Sequence, residues 1–308
     1  MDRSEFLRLF MAVPAAGAWL PLSPPYDMPR EPRRLSSSRF FTRWMPGMEP
    51  AYRVQTGEIV VVETSHGMPG LVTRDGIFRE AGPDAVINPQ TGPIFIEGIA
   101  SGDTLAVDIL DIEVGEWGYC SQRIFELRNG FVHFSDDLRL PVQPMLGCLG
   151  IAPSEGSMDT RAPSETGGNM DCREVRKGST VVFKARVDGA LAGMGDAHAL
   201  QGDGEINGQG IETDARALVR FRKLSGPLSD RPVIIREDSF STVGANGSLE
   251  EAAWQATDDM VALLRSYTGR SEDEARLIVG MTGNLRINQI VDPTKGARME
   301  VPAWVFGI

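Results

Sequence analysis

The fold class is decided by the stretch Pro93-Ile-Phe-Ile-Glu97-Gly-Ile-Ala-Ser-Gly102-Asp103-Thr104-Leu-Ala-Val-Asp-Ile109. It holds two short apolar runs, Pro93–Glu97 and Thr104–Ile109, with the turn-forming pair Gly102-Asp103 just before the second. This spacing predicts two short β-strands joined by a turn. Runs of similar length recur at Glu58–Val62, Thr180–Arg186 and Leu218–Arg222. No repeat of strand, long helix and strand accompanies them, so we expect a mainly β fold and not a parallel α/β sheet.

The pattern changes after Asn246. Apolar residues follow helical spacing from Leu249 to Leu264, and Gly269 can end that helix. A second helix is expected from about Glu272 to Val279. Each helix starts at a predicted capping box, formed by Ser248 with Glu251 and by Ser271 with Glu274. Two strands, Asn284–Val291 and Ala297–Val301, should then follow, which predicts a C-terminal helical hairpin and a returning β-ribbon.

Composition excludes several classes of protein. The chain has 308 residues, 31 basic and 42 acidic side chains and a formal net charge of −11. This acidic balance argues against nucleic acid or an anionic membrane as a partner. No apolar run reaches the ~18 residues of a membrane-spanning helix. The three cysteines, at 120, 148 and 172, form no C-x-x-C pair, which argues against a disulfide framework and a thiolate zinc site.

Residues 1–38 differ from the rest of the chain. Leu9–Leu20 is apolar apart from Pro14, and a connector rich in Pro, Ser and Arg follows up to Ser38. Residues 1–38 are therefore read as an export leader with a linker, and 39–308 as the folded domain. Arg3-Ser4-Glu5-Phe6-Leu7 is similar to a twin-arginine signal that has lost one arginine. The alternatives are a cytoplasmic protein whose N-terminal arm packs on the body, and an exported protein.

The densest polar segment is Gly195-Asp-Ala-His-Ala-Leu-Gln-Gly-Asp-Gly-Glu205. Asp196 and His198 are two residues apart, as are Asp203 and Glu205, so in an extended chain each pair shares one face. Imidazole and carboxylates around an open position are what a catalytic zinc-type site requires. The segment therefore predicts a metal site.

Two other interpretations of this segment stay open. In one, Asp196 and Asp203 only cap turns and His198 is structural. In the other, Asp203–Asp214 is a calcium-binding turn, because its spacing partly imitates an EF-hand loop. The strand predicted immediately downstream excludes a true EF-hand, which needs flanking helices.

Several motifs, in the same order along the chain, resemble the acetamidase/formamidase family. They are Asn88-Pro-Gln-Thr-Gly-Pro-Ile-Phe-Ile-Glu97-Gly with Ser101-Gly-Asp-Thr-Leu105, Gly150-Ile-Ala-Pro153, Gly167-Gly-Asn-Met-Asp171, the Gly195–Glu205 run, and Asn284-Leu-Arg-Ile-Asn-Gln-Ile-Val-Asp292. Asn284 departs from the family, which commonly has Asp there. The resemblance implies a β-sandwich-like fold, a homo-oligomer, and metal-dependent hydrolysis of small aliphatic amides to a carboxylate and ammonia.

The resemblance also implies metal ligands. Asp196 and His198 are the first two, and His66, in Glu63-Thr-Ser-His66-Gly, is the third. Zinc is the expected ion and calcium the alternative. His133 lies between aromatic residues in Phe131–Phe134 and is expected to be packed or at the surface.

Amide hydrolysis also needs a general base and a proton for the leaving nitrogen. Glu97 ends an apolar strand, where burial would raise the pKa of its carboxyl, so it is the expected base. A salt bridge between Glu97 and an arginine is the structural alternative. Glu205 is the alternative base or a fourth ligand, and Asp203 is expected to hold a neighbouring backbone segment or ligand in place.

The substrate-binding residues are expected in the Gly167–Asp171 motif. Asn169 and Asp171 would line the pocket, with the backbone amides of Gly167 and Gly168 as oxyanion donors. The same glycines could equally form a tight turn.

Covalent catalysis is disfavoured. The chain has no G-x-S-x-G nucleophile elbow, and Cys148 lies in the apolar stretch Leu146–Gly150. Three functions remain: the metal-dependent amidase, a relative acting on a different amide because residues 115–141 reshape the pocket, and a non-catalytic β-rich calcium-binding protein.

Overall fold

The computed structural model describes residues 31–225 and 228–307. Their strands, in chain order, are β1 (Arg33–Leu35), β2 (Phe40–Phe41), β3 (Arg43–Trp44), β4 (Tyr52–Gln55), β5 (Ile59–Thr64), β6 (Gln90–Glu97), β7 (Thr104–Val114), β8 (Trp117–Cys120), β9 (Arg123–Arg128), β10 (Phe131–His133), β11 (Arg139–Pro141), β12 (Met145–Gly150), β13 (Met158–Asp159), β14 (Pro163–Ser164), β15 (Gly167–Asn169), β16 (Thr180–Lys184), β17 (Ala192–His198), β18 (Ala215–Leu224), β19 (Val233–Ile235), β20 (Ser239–Asn246), β21 (Asn284–Gln289) and β22 (Lys295–Pro302). The helices are α1 (Leu249–Thr268), α2 (Glu272–Thr282) and a 3₁₀ turn at Ala303–Phe306.

The two largest sheets form a β-sandwich. A nine-stranded sheet has the order β1-β5-β18-β7-β16-β19-β20-β22-β21, and a second sheet has the order β14-β15-β12-β17-β6-β2, with β4 beside β6. The main core contains fully buried residues from both sheets, such as Val107 of β7 and Leu149 of β12. Most neighbouring strands are antiparallel, since only β1–β5 and β4–β6 run parallel among the strand pairs of the described ranges. The predicted fold class is confirmed.

The C-terminal helical hairpin is also confirmed. Helix α1 packs on the end of the nine-stranded sheet through a second core that includes Met260, Leu264 and, from β20, Phe240. Gly269 ends α1 in the left-handed conformation with φ 70°, as its position predicts. The capping box at Ser271 is complete. At α1 the structure shows one of its two bonds, from the Glu251 N–H to Ser248 Oγ (3.4 Å).

The N-terminal prediction lies mostly outside the described residues. Residues 1–30 carry the proposed leader, whereas Arg33–Leu35, inside the predicted linker, forms β1 and pairs with Val60–Val62 of β5. The leader itself therefore stays a prediction, and residues just before 39 contribute a strand to the large sheet. Among the described helices, none combines the length and apolar character needed to cross a bilayer.

Candidate active site

A buried group of acidic side chains surrounds one histidine at the end of β17. We call Asp171, Asp196, His198, Glu205 and Glu212 the carboxylate–histidine cluster. β17 is a central strand of the second sheet, between β12 and β6, so its end is enclosed by neighbouring strands. One ligand atom from each of Asp171, Asp196 and His198 lies within 4.8 Å of the other two. This group could bind a metal ion, as the sequence predicts for Asp196 and His198.

The orientation of the His198 ring is set by Gln201. Gln201 Nε2 donates to the backbone carbonyl of Asp171 (2.7 Å), which leaves its Oε1 to accept from His198 Nδ1 (2.6 Å). The other ring nitrogen, Nε2, therefore faces the carboxylates. It lies 3.2 Å from Glu212 Oε1 and 3.6 Å from Asp196 Oδ1. A histidine whose Nδ1–H is held in this way presents Nε2 as its ligand atom.

Glu212 is the member of the cluster that the sequence analysis missed. Besides its contact with His198, its Oε2 accepts from the Gly67 N–H (3.2 Å). It reaches the cluster because the segment after Gly210 returns to pair with His198 and Tyr119. The signal was present in the sequence: Glu212 and Asp214 repeat the two-residue spacing of Asp196 with His198 and of Asp203 with Glu205.

Burial and mutual repulsion disfavour the ionised carboxylates. Burial, together with Glu205 and Asp196, raises the pKa of Asp171 well above its ordinary value. Burial raises the pKa of Glu205 to about 7, and burial and Asp196 raise that of Glu212 to about 7. Burial opposes the charged form of His198, but Glu212 and Asp196 outweigh it and raise its pKa well above the usual range. If all four carboxylates were ionised, their negative charge would exceed what the one imidazolium can balance, so the fold favours protonation of some of them in the absence of a cation.

The cluster also contains an unpartnered acceptor, and a glycine faces its two aspartates. Asp171 Oδ1 is buried with no hydrogen-bond partner among residues 31–225 and 228–307. A Cβ atom on Gly147 of β12 would lie 2.6 Å from this oxygen and 2.7 Å from Asp196 Oδ2. Only glycine therefore leaves room for the two carboxylates to converge. The donor set and the orphaned oxygen fit a divalent cation.

The backbone is strained at the residues that form this site. Asn88, Asp171, Asp196 and Glu205 all have left-handed φ angles, between 44° and 54°. Non-glycine residues adopt this conformation uncommonly, and its cost is tolerated where side chains must be aimed at a common point. Three of these four residues belong to the cluster.

His66 lies beside the cluster, and its ring packs against aromatic residues. It makes edge contacts with Trp117 (5.4 Å between centroids) and Tyr119 (5.3 Å), and its Nδ1 accepts from the Met68 N–H (3.3 Å). Burial lowers its pKa, against the opposing effect of Asp214. The convergent group found among the described residues consists of Asp171, Asp196 and His198. The structure therefore places Asp171, and not His66, in this group, and the role of His66 as a third ligand stays a prediction.

Two predicted catalytic carboxylates lie elsewhere. Glu97 is the last residue of β6 and lies about 23 Å along the strand from Gln90, the first residue. Its carboxylate forms a salt bridge with Arg53 (3.0 Å). The salt bridge that was the structural alternative for Glu97 therefore forms, and its role as general base stays a prediction that this position does not favour. Asp203 accepts two hydrogen bonds from the Arg298 side chain (2.9 and 3.0 Å), and not from the neighbouring backbone or ligand that was expected. Of the predicted catalytic residues, Glu205 alone belongs to the cluster.

The Gly167–Asp171 motif supports the cluster. Asn169 Nδ2 donates to Asp171 Oδ2 (2.8 Å) and to Asp292 Oδ2 (3.2 Å), while its Oδ1 accepts from Asn88 Nδ2 (2.7 Å). Gly167 and Gly168 belong to β15, where a Cβ would meet the backbone oxygen of a neighbouring strand or loop at 2.5–2.6 Å. Close strand packing explains these two glycines, and an oxyanion role for them stays a prediction.

The structure does not favour the interpretation of Asp203–Asp214 as a calcium-binding turn. Asp203 is bound to Arg298, whereas Asp214 Oδ1 accepts from the His66 N–H (2.9 Å) and Glu205 Oε1 from the Gly210 N–H (3.2 Å). These carboxylates are engaged by different partners and do not form one calcium loop. His133 lies in β10, outside the cluster, as expected.

Comparison with known proteins agrees with this architecture. The acetamidase of Mycolicibacterium smegmatis is 25% identical over 249 residues, which cover 54% of this chain and 61% of that protein. The formamidase of Methylophilus methylotrophus is 24% identical over 255 residues, covering 58% of this chain and 62% of that one. The chain thus spans about three fifths of the length of these curated relatives.

A solved structure is similar over a greater share of its length. The crystal structure of a predicted acetamidase/formamidase from Thermoanaerobacter tengcongensis superposes with a TM-score of 0.86 and 33% identity, covering 89% of this chain and 97% of that one. The model of the Acetamidase/Formamidase family matches residues 27–139 and 152–308. With its sandwich, its helical hairpin and its carboxylate–histidine cluster, this chain belongs to the Acetamidase/Formamidase family.

Proposed function

We propose that the protein hydrolyses a small aliphatic amide, of the formamide or acetamide type, to a carboxylate and ammonia with a divalent cation in the carboxylate–histidine cluster. The observation that carries the proposal is the convergence of Asp171, Asp196 and His198, with a buried oxygen of Asp171 left unpartnered among the described residues. The names of the acetamidase and formamidase relatives support the substrate class.

Zinc is the ion that we propose. Asp171 and Asp196 offer oxygen and His198 offers the imidazole Nε2, a mixed set that suits zinc. Calcium is bound by oxygen ligands alone, so the histidine disfavours it. Once bound, such a cation polarises an amide carbonyl and lowers the pKa of a water molecule.

Glu205 is the residue that we propose for proton transfer. With a pKa raised to about 7 by burial, its carboxylate can take a proton from the attacking water and return it to the departing amide nitrogen. Glu212 is less free, since its oxygens face His198 and the Gly67 N–H. We assign Glu212 to positioning the His198 ring, or to completing the ligand set as its fourth member.

The identity of the amide depends on the walls of the site. Residues 115–141 include β8, whose Trp117 and Tyr119 pack against His66 next to the cluster. A change in this region would alter the space beside the cluster, so a relative with a different amide preference is the alternative. A panel of linear amides of increasing acyl length distinguishes the two.

Removal of metal is the direct test of the proposed function. We expect ammonia release from formamide or acetamide by the purified protein, its loss after dialysis against a chelator, and its return on addition of Zn²⁺. Calcium should restore little activity. Undiminished turnover by protein shown to be metal-free by elemental analysis would contradict the mechanism.

Stability should respond to the cation in a pH-dependent way. The pKa values of Glu205 and Glu212 are raised to about 7 in the fold, so their favourable contribution is present at acidic pH and is lost as pH rises through about 7. Metal-free protein should therefore lose stability between about pH 4.5, the ordinary pKa of a glutamate, and about pH 7. A bound divalent cation offsets this repulsion, and its effect on the melting temperature should grow over the same range. A cation effect that shrinks with rising pH would argue against these carboxylates as its neighbours.

A homo-oligomer also belongs to the proposal. Strand β21 is an edge of the nine-stranded sheet, and its Leu285 and Ile287 are exposed next to Trp254 of α1. An exposed apolar edge of this kind favours association. Analytical ultracentrifugation measures the stoichiometry.

A further inference from the structure

A cavity of about 450 Å³, outside the carboxylate–histidine cluster, is lined by five arginines. We call Arg173, Arg176, Arg236, Arg286 and Arg298 the arginine pocket. They come from the segment after β15, the β19–β20 turn, β21 and β22, so the sandwich brings together residues that are far apart in sequence. Asp203 is the point where this pocket approaches the carboxylate–histidine cluster, since it binds Arg298 and precedes Glu205 by two residues. In the described ranges, the five cluster residues lie outside the lining of this cavity.

Positive charge exceeds negative charge in the inner part of the pocket. One buried carboxylate, Glu174, contacts three guanidinium groups: those of Arg176 (3.0 Å), Arg236 (3.2 Å) and Arg298 (3.7 Å). Asp203 supplies a second carboxylate, to Arg298. Asp238 is 3.8 Å from Arg236 and its side chain is 78% exposed, so solvent screens its charge. The fourth lining carboxylate, Glu300, pairs with Arg286 (3.4 Å), so the three inner arginines share two effective counter-charges.

The same three arginines have buried N–H groups without partners. Within residues 31–225 and 228–307, Arg176 Nε, Arg236 Nη1 and Arg298 Nε are buried and have no acceptor for their N–H groups. A buried charged donor left unpaired is costly. Guanidinium groups form paired, charge-assisted hydrogen bonds with the planar or tetrahedral oxygens of carboxylate and phosphate. The side chains of Arg176, Arg236 and Arg298 are therefore short of both hydrogen-bond acceptors and negative counter-charge.

We propose that the arginine pocket binds a small oxyanion, a carboxylate or a phosphate, at a site separate from the carboxylate–histidine cluster. An oxyanion in the cavity supplies the counter-charge that the three inner arginines lack, and it accepts hydrogen bonds from guanidinium N–H groups that line the cavity. Water would satisfy the donors but leave the excess charge. A neutral amide would also leave it, which distinguishes this ligand from the proposed substrate. The inference does not depend on amide hydrolysis.

The test is calorimetric titration of the full-length protein with sodium phosphate and, separately, sodium formate, against sodium chloride at equal ionic strength. We expect saturable binding with a Kd on the order of 1 mM or tighter. Arg236→Gln should weaken it at least about tenfold, because it removes one inner guanidinium and about 1.4 kcal/mol or more of binding. The matched control is Arg128→Gln, an exposed arginine of β9 that pairs with Glu126, and it should bind as the wild type does.

Each outcome decides the question. Binding of phosphate alone or of formate alone identifies the source, and binding of both supports a general oxyanion site. Absence of saturable binding to the wild-type protein overturns the proposal, as does equal weakening in Arg236→Gln and Arg128→Gln. If Arg236→Gln does not fold, as judged by circular dichroism, Arg176→Gln replaces it in the same comparison.

Discussion

Replacing Asp196 with Asn is expected to abolish metal retention and to lower kcat/KM for amide hydrolysis on the order of 10³-fold, a loss of several kcal/mol of transition-state stabilisation. The substitution removes a charged ligand and preserves the side-chain volume. Asn also tolerates the left-handed backbone of this position, where φ is 54°. The loss would therefore come from the charge and not from a distorted strand.

Stability separates this effect from unfolding. Asp196 repels the neighbouring carboxylates of Asp171 and Glu212, as their raised pKa values show. Asp196→Asn removes this repulsion together with the attraction between Asp196 and the His198 imidazolium (3.6 Å), so the metal-free variant should melt close to the temperature of metal-free wild type. Asp111→Asn, at an exposed residue paired with Lys177, is the control and should keep both metal and activity. If Asp196→Asn retained stoichiometric metal and normal turnover, the ligand assignment would be refuted.

Glu205→Gln is expected to lower kcat by about 10²–10⁴-fold, the usual contribution of a general base. Gln keeps the shape of the side chain and can still accept from the Gly210 N–H, but it cannot take a proton. Metal content should stay near that of the wild type, because the ligand atoms that converge belong to Asp171, Asp196 and His198. Steady-state kinetics and elemental analysis on the same sample measure both quantities.

Glu97→Gln is the matched control for this prediction. Glu97 pairs with Arg53 at the far end of β6 and 34% of its side-chain surface is exposed, so we expect activity near that of the wild type and little change in stability. A large loss of kcat in Glu97→Gln, with Glu205→Gln active, would reverse the two assignments.

The sequence determined the elements of the fold well. Strands were predicted where short apolar runs follow turn residues, and the structure extends Thr104–Ile109 to Thr104–Val114. The helix ends were also predictable, because Ser271 and Gly269 act on the backbone within a few residues of themselves. Local hydrogen bonding and local hydrophobic pattern are properties that a sequence carries directly.

The site was predictable only in part. Asp196 and His198 lie on one strand, and a spacing of two places them together in any extended chain. Glu97 is predicted to be buried because an apolar run that ends in a carboxylate resembles the end of a buried strand. The register of β6 against β17 instead places Glu97 away from the cluster. Glu212 and Asp214 have the same two-residue spacing as Asp196 and His198, but the sequence analysis does not predict a site residue from it.

The sequence by itself therefore determined the β-rich class, the helical hairpin, the family resemblance and the Asp196–His198 pair. Only the tertiary structure decided that Asp171, and not His66, belongs to the convergent group, that Glu212 lies against His198, and that Arg298 binds Asp203. Those contacts join residues 14 to 95 positions apart in the chain. They depend on strand order and register across the sandwich, and on the close approach that Gly147 permits, which no local pattern of residues encodes.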